Sequence, residues 1–323
     1  SPGNLAQAIT PTSATDPAVR APSVNEVSRA KDLATVSTYS GDGTELLATL
    51  GPTHPIHTAG GTLIDGRQSV TNTYDEGAPG GGGPYRLLTT SVTSAKSLSG
   101  TSYDAVTTHT GYGAVVAGDT TGWVLHKPTS VTTVMASGPN LVSSTRYNPV
   151  GQAIESRLPA GAVNSSGAGD DAYTTDTTYY TATGSGACVS AALAGLVCAV
   201  GPAAQPTSGK PLPAATTTYN VYDEPVVVSE TAGGVVRTTT TGYDAAGRQV
   251  SSAVAVSPAG ADGTATPAQT FVYDPATGLP TTTSDSTGHT LTTSYDSLGR
   301  VHTYTDATGA TTTTADPIAA ILF

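Results

Sequence analysis

The sequence predicts an all-β protein built as a strip of antiparallel β-hairpins, on three observations: a hexapeptide that recurs, paired turns at a fixed interval, and β-branched stretches between them. Tyr243-Asp244-Ala245-Ala246-Gly247-Arg248 returns as Tyr295-Asp296-Ser297-Leu298-Gly299-Arg300. A threonine run precedes the tyrosine in these copies, and a second acidic turn follows. That second turn is Asp306-Ala307-Thr308-Gly309 after Tyr295, Asp285-Ser286-Thr287-Gly288 after Tyr273-Asp274, and Glu230-Thr231-Ala232-Gly233 after Tyr219-Asn220. The copy at Tyr273 carries one additional residue before Gly278. From the first Asp or Asn to the second acid the chain runs 10, 11 and 10 residues, in the order 296, 274, 220. Tyr147-Asn148-Pro149-Val150-Gly151-Gln152 precedes Leu158-Pro159-Ala160-Gly161 by the same interval. Tyrosines 219, 243, 273 and 295 lie 24, 30 and 22 residues apart, a repeat with loop insertions. Looser copies stand at Tyr39 with Asp42-Gly43, at Tyr74-Asp75-Glu76-Gly77 and at Tyr103-Asp104.

Each part has a physical task. Asp or Asn at the first turn position accepts hydrogen bonds from the backbone two residues on, and Gly at the fourth takes positive φ without steric cost. Arg248–Val254 and Val301–Thr305 are β-branched and partly alternating, as half-buried strands are. Helix signals are sparse. Asn25–Ala34 and the Ala-rich run Cys188–Val200 are the best candidates, and both are short and crossed by poor helix formers. The expected organisation is a degenerate β-rich region at 1–140, then repeats at 141–323 with an Ala-rich, Cys-bracketed insertion at about 181–215.

These residues resemble the YD repeats of the Rhs family, which includes polymorphic bacterial toxins, shell subunits of toxin complexes and animal teneurins. The match is close at Tyr243 and Tyr295, good at Tyr147, Tyr219 and Tyr273, and weak before about residue 140. The resemblance implies a β strip that spirals into a hollow shell, or cocoon, enclosing a C-terminal toxin in a secreted or cell-surface bacterial protein. Its implied partners are flanking YD repeats and a toxin cargo of the same polypeptide. The register places a tyrosine at 315, where Ala315-Asp316 stand before IAAILF, and the self-cleaving core motif and variable tail are missing. Hence no cleavage activity is expected. SPGNLAQAITP has neither a positive nor an apolar region of a signal peptide and reads as an interior cut. The Ala-rich insert ending in Gly201–Pro206 resembles inserts of actinobacterial relatives, which implies such a source. In a chain of exported character, Cys188 and Cys198 suggest a local disulfide, with two buried free thiols as the alternative.

Composition agrees. Charged residues are 11% and aromatics 6%, with 2 Phe against 15 Tyr, too few large apolar side chains for a thick sandwich core. Threonine and tyrosine suit a thin sheet wet on both faces; disorder is the competing reading, and regular tyrosines and paired turns argue against it. A net charge of −11 disfavours nucleic acid and anionic membrane surfaces, and no apolar run reaches the length of a membrane helix. Catalytic, metal and cofactor constellations are not found. His54-Pro55-Ile56-His57 reads as a loop with two exposed histidines, Gly80–Gly83 lacks the Lys-Ser/Thr of a phosphate loop, and no serine elbow appears. Arg248 and Arg300 could fork onto a neighbouring repeat's aspartate. Gln152, Glu224 and Leu279 replace them in other copies, so a shared ligand site is not expected. Two alternatives remain: a carbohydrate-binding or adhesive module for cell-surface glycans, whose tyrosines would cluster on one outer face, and a β-helix polysaccharide enzyme, whose acids would converge in a groove.

Overall fold

The structure, a computed structural model, describes residues 7–9, 33–81, 83–259 and 266–313. The chain is all-β: apart from one helical turn, α1 (Gly122–Leu125), and a 3-10 turn at Ala191–Leu193, the regular elements of the described residues are strands. The weak helix candidate at Asn25–Ala34 lies outside the described residues except at its end, where Ala34 opens a strand; the tail from Ala315 and the opening segment, save Gln7–Ile9, lie outside too.

Contacts divide the chain into two compact units, Ser1–Thr174 and Thr175–Phe323, so the division falls within the region assigned from sequence to 141–323. The first unit carries β1 (Gln7–Ile9), β2 (Ala34–Tyr39), β3 (Leu46–His57), β4 (Leu63–Tyr74), β5 (Leu88–Ser97), β6 (Ser102–Gly111), β7 (Ser130–Val134), β8 (Leu141–Tyr147) and β9 (Ala153–Arg157). Each pairs antiparallel with the next. The second unit repeats that meander through β10 (Thr174–Tyr179), β11 (Val197–Pro202), β12 (Ala214–Tyr219), β13 (Pro225–Ala232), β14 (Val235–Tyr243) and β15 (Gln249–Ser257). It continues through β16 (Gln269–Tyr273), β17 (Pro280–Asp285), β18 (Thr290–Tyr295), β19 (Val301–Thr305) and β20 (Thr311–Thr313).

β-branched side chains fit the pleat, and here they also pair by hydroxyl: Ser284 with Thr290 at 3.1 Å and Thr305 with Thr311 at 2.8 Å, directly or nearly opposite on neighbouring strands. Such cross-strand pairs contribute roughly 0.2–1 kcal/mol each. Burial is thin. Among the described residues of the second unit only Tyr180 and Cys198 are buried. Among the described residues of the first unit the buried apolar side chains are Ala34, Ile56, Tyr112 and Trp123, and the rings of Tyr112 and Trp123 lie 4.9 Å apart with Tyr85 5.2 Å from Trp123. Buried Arg67 donates to the Ala34 carbonyl at 2.6 Å and to that of Gly51, binding β4 to β2 and β3. Buried Glu155 is met by Arg146 at 2.7 Å, and Arg146 also reaches Asp119, so the one fully buried carboxylate among the described residues has a fixed counter-charge.

The segment taken as an insertion is partly in the ladder, because β11 pairs with β10 and β12. Cys188 and Cys198 form a disulfide with Cα atoms 5.6 Å apart, and Gly195 takes φ 96°. The positive φ ends the short 3-10 turn, and the cross-link folds the alanines back so that β-branched Val197 and Val200 enter the sheet. This is why the Ala-rich run is not a helix.

Candidate functional site at the repeat turn

In eight strands of the described residues the final residue is a tyrosine, and the ladder slips by one residue there: β2, β4, β8, β10, β12, β14, β16 and β18. The slip is a β-bulge, which bends the strand and leaves a backbone group out of the ladder. The tyrosine hydroxyl reaches the other way, to a carbonyl of the preceding strand. Tyr74 donates to the Leu46 carbonyl at 3.1 Å, Tyr219 to Val197 at 2.9 Å, Tyr243 to Pro225 at 3.3 Å, Tyr273 to Gln249 at 2.8 Å and Tyr295 to Pro280 at 2.7 Å. Every acceptor is the first residue of the preceding strand. Tyr147 does the same to Pro128, just before β7, at 3.0 Å. Since the tyrosine's own backbone pairs with the following strand, each half-buried ring straps three strands together. Proline is tolerated at 225 and 280 because the first strand position is asked for a carbonyl and not for an N–H.

The Asp or Asn after the tyrosine builds the turn. Its Oδ1 accepts two backbone N–H groups: Val150 and Gln152 on Asn148, Tyr222 and Glu224 on Asn220, Ala246 and Arg248 on Asp244, Leu298 and Arg300 on Asp296. Glycines 151, 247, 278 and 299 close the turns at φ 82°, 76°, 73° and 76°, a region where an L side chain is strained. At Asp274 the extra residue is accommodated by Thr277, whose N–H and hydroxyl both bond Oδ1, with Gly278 N–H on the Asp274 carbonyl.

The fourth residue after the Asp or Asn follows a rule that the sequence reading missed. Asn148 and Asn220 carry a spare amide N–H₂ and are followed by acceptors: Nδ2 donates to Gln152 at 2.7 Å and to Glu224 at 2.6 Å. Asp244 and Asp296 carry a spare oxygen and are followed by donors, Arg248 Nε at 2.8 Å and Arg300 Nε at 2.7 Å. Asp285 with His289 Nδ1, at 3.0 Å, follows the same rule in a second turn. The replacements Gln152 and Glu224 therefore satisfy the partner's hydrogen-bond inventory, whereas Leu279, in the turn with the extra residue, takes no part in it. The arginine expectation is corrected in the same way: Arg248 forks onto Asp244 of its own turn, and its guanidinium lies 4.6 Å over the ring of Tyr273 in the next repeat. Lys127 stands likewise, 5.6 Å over Tyr147 and donating to the Gly151 carbonyl at 2.8 Å. A Cβ on Gly247 would meet Glu224 Oε1 at 2.9 Å and one on Gly278 would meet Arg248 Nη1 at 3.3 Å, so these fourth residues sit against the next turn's glycine, and Leu279, one place later in its longer turn, does the same to Gly299 at 3.6 Å.

Other expectations move. Tyr103-Asp104 is not a turn but lies inside β6, and the strap belongs to Tyr112, which donates to Leu88, the first residue of β5, at 3.0 Å. No acid follows Tyr112, so only its spacing could have found it. Tyr180, buried and 6.3 Å from the ring of Tyr219, bonds the Thr217 carbonyl instead. Glu230 lies within β13 opposite Arg237, and the bend is Gly233-Gly234 with φ 56° and 81°, a two-glycine turn suited to strand twist. At Tyr39 the turn residue is Ser40, whose hydroxyl accepts from Glu45 N–H at 3.0 Å. His54 and His57 are exposed, but on β3 and not in a loop. Gly80–Gly83, of which Gly82 lies outside the described residues, falls in a long loop closed by Asp75, whose carboxylate takes the N–H groups of Tyr85, Arg86 and Leu87. Among the described residues no three His, Cys, Asp or Glu side chains converge as a metal set would, and no helix is long and apolar enough to cross a membrane.

The turn carboxyls are acidified by their donors. The Arg248 side chain first, then its N–H, holds Asp244 below the usual carboxylate range; for Asp296 the Arg300 N–H leads; for Asp274 the Thr277 N–H leads; for Asp306 the Thr308 hydroxyl leads. The Ser40 hydroxyl and then Thr44 lower Asp42 to about 2.

Tyr273→Phe should lower stability by about 1 kcal/mol, the usual net value of one hydrogen bond, measured as a shift in the urea midpoint. Asn220→Asp should destabilise by setting two carboxylates together, and adding Glu224→Arg should restore the midpoint; a double variant no better than the single one would sink the donor–acceptor rule. Because the folded-state carboxyl values lie below those of the unfolded chain, their stabilisation is present above about pH 4 and is lost as pH falls through the folded values. Stability should therefore be flat near neutrality and fall between about pH 4 and pH 2; a urea midpoint unchanged down to pH ~2.5 would contradict the turn chemistry.

No family model matches the chain, and no curated protein matches it. Solved structures similar to it include TcdB2-TccC3-TEV, at 13% identity and a TM-score of 0.34 over 84% of this chain and 15% of that one. TcdB2-TccC3 without its hypervariable C-terminal region is similar at 12% identity and a TM-score of 0.30, over 88% and 16%. TcdB2-TccC3 itself gives 12% identity and 0.29, over 84% and 16%. The chain spans about 15–16% of the length of these structures.

Proposed function

We propose that this chain is a length of wall from an Rhs-type β shell, secreted or displayed on a bacterial cell, that encloses an effector carried C-terminally by the same polypeptide. In this reading it does no chemistry of its own. The observation that carries it is the serial strap: a tyrosine hydroxyl at the end of strand after strand is spent on the first carbonyl of the strand before. Catalysis and ligand recognition need unlike groups brought together once, whereas here like groups recur and each is consumed by its neighbour. Thinness supports the same reading. Strands such as β12 and β18 alternate between exposed and half-buried residues without a buried row, which suits a single sheet with water on one side and a wet lumen on the other.

Limited proteolysis of the full-length parent polypeptide tests the proposal. The segment C-terminal to the repeats should resist protease at neutral pH while the same segment alone is digested, and should become cleavable once the wall is opened near pH 2. A parent whose C-terminal segment is cut as fast inside the protein as outside it would rule out enclosure, and specific retention on cell-surface glycans would favour the adhesive module.

A further inference from the structure

Away from the straps, at the opposite end of the strands, a cleft of about 490 Å³ opens between the face of β13–β14–β15 and the loop that precedes β12. That is within the range of small-molecule sites. Its floor differs from the hydroxyl-paired faces of β17–β18 and β19–β20. Where β17–β18 sets Ser284 against Thr290, β13–β14 sets Ala232 against Val235 and Glu230 against Arg237, and Val256 of β15 extends the row. The turn needs none of this, since Gly233-Gly234 supply the backbone geometry.

The wall is preformed. Gln205 clamps the loop by accepting the Leu212 N–H at 2.8 Å and donating to the Leu212 carbonyl at 3.0 Å. The clamp holds Pro211 against the hairpin tip, where a Cβ on Gly233 would stand 3.2 Å from its ring. Pro211 and Pro213 remain exposed and line the cleft with the half-buried Val235 and Val256. Rigid prolines facing the half-buried Val235 and Val256 lose little conformational freedom when a ligand enters. Charge selects the ligand. Arg237 is held by Glu230 at 2.6 Å, so the excess charge at the lip is the ammonium of Lys210, in a chain of net charge −11.

We infer that this cleft binds a small amphipathic anion, an apolar body bearing one carboxylate or sulfonate, with the body on Val235 and Val256 between the prolines and the anion on Lys210. The inference is independent of the shell reading. The probe is 1-anilinonaphthalene-8-sulfonate, titrated by fluorescence into the full chain, with the uncharged N-phenyl-1-naphthylamine beside it. Saturable one-to-one binding is expected, with amide shifts at Gly233 and Gly234. Lys210→Met should weaken the sulfonate about tenfold, as loss of one charge-assisted contact does, and leave the neutral probe unchanged. Val235→Thr should weaken both probes by about threefold or more. Lys210 is on an exposed loop, so its variant keeps the test alive if Val235→Thr fails to fold, and circular dichroism reports that directly. Unchanged sulfonate affinity in Lys210→Met, or an equal loss for the neutral probe, would overturn the assignment.

Discussion

Everything in the repeat region depends on one hydrogen bond, from a tyrosine hydroxyl at the end of one strand to the first carbonyl of the strand before it. A single-layer sheet buries little apolar surface, and in the second unit only Tyr180 and Cys198 are buried among the described residues. Stability must then be assembled from neighbour-to-neighbour terms, as in other repeat architectures. The bulge at each tyrosine lies on the side of the following strand, and the hydroxyl bonds a carbonyl on the side of the preceding one. Each strap contributes about the net value of one hydrogen bond, roughly 1 kcal/mol, and the strip is held by their repetition.

The turn beside each strap is governed by donor and acceptor counting. An amide at the first position leaves an N–H₂ to satisfy and selects Gln152 or Glu224; a carboxylate leaves an oxygen and selects Arg248 or Arg300. Glu224 and Arg248 then lie against the glycine or over the ring of the following repeat, so each completes its own turn and spaces the next. Local turn chemistry and the coupling between repeats are thus one arrangement.

Much of this was legible beforehand. The hairpin period, the Asp-to-Gly turns at 244–247 and 296–299, and a strand-rich chain poor in helix follow from side-chain chemistry that acts within a few residues. The errors came where that chemistry was absent or imitated. Tyr103-Asp104 has the motif's letters inside β6, while Tyr112 performs the strap without an acid after it. Glu230 looks like a turn acid, yet the adjacent Gly233-Gly234 bends the chain more easily and leaves Glu230 to pair across the ladder with Arg237. The Ala-rich segment reads as an insertion, and its strand appears only when the Cys188–Cys198 link and the pairing of β11 are known.

The sequence by itself determined the repeat, its turns and the all-β class, because Asp, Asn and Gly act through backbone geometry that needs no distant partner. Tertiary structure alone decided what the tyrosine does. Its acceptor lies 15 to 24 residues away in the second unit's repeats, on the preceding strand, and is a bare carbonyl that any residue can offer, at Val197, Pro225, Gln249 or Pro280. A backbone acceptor leaves no mark in the residue letters, so the interaction that orders the strip could be seen only once the strands were laid side by side.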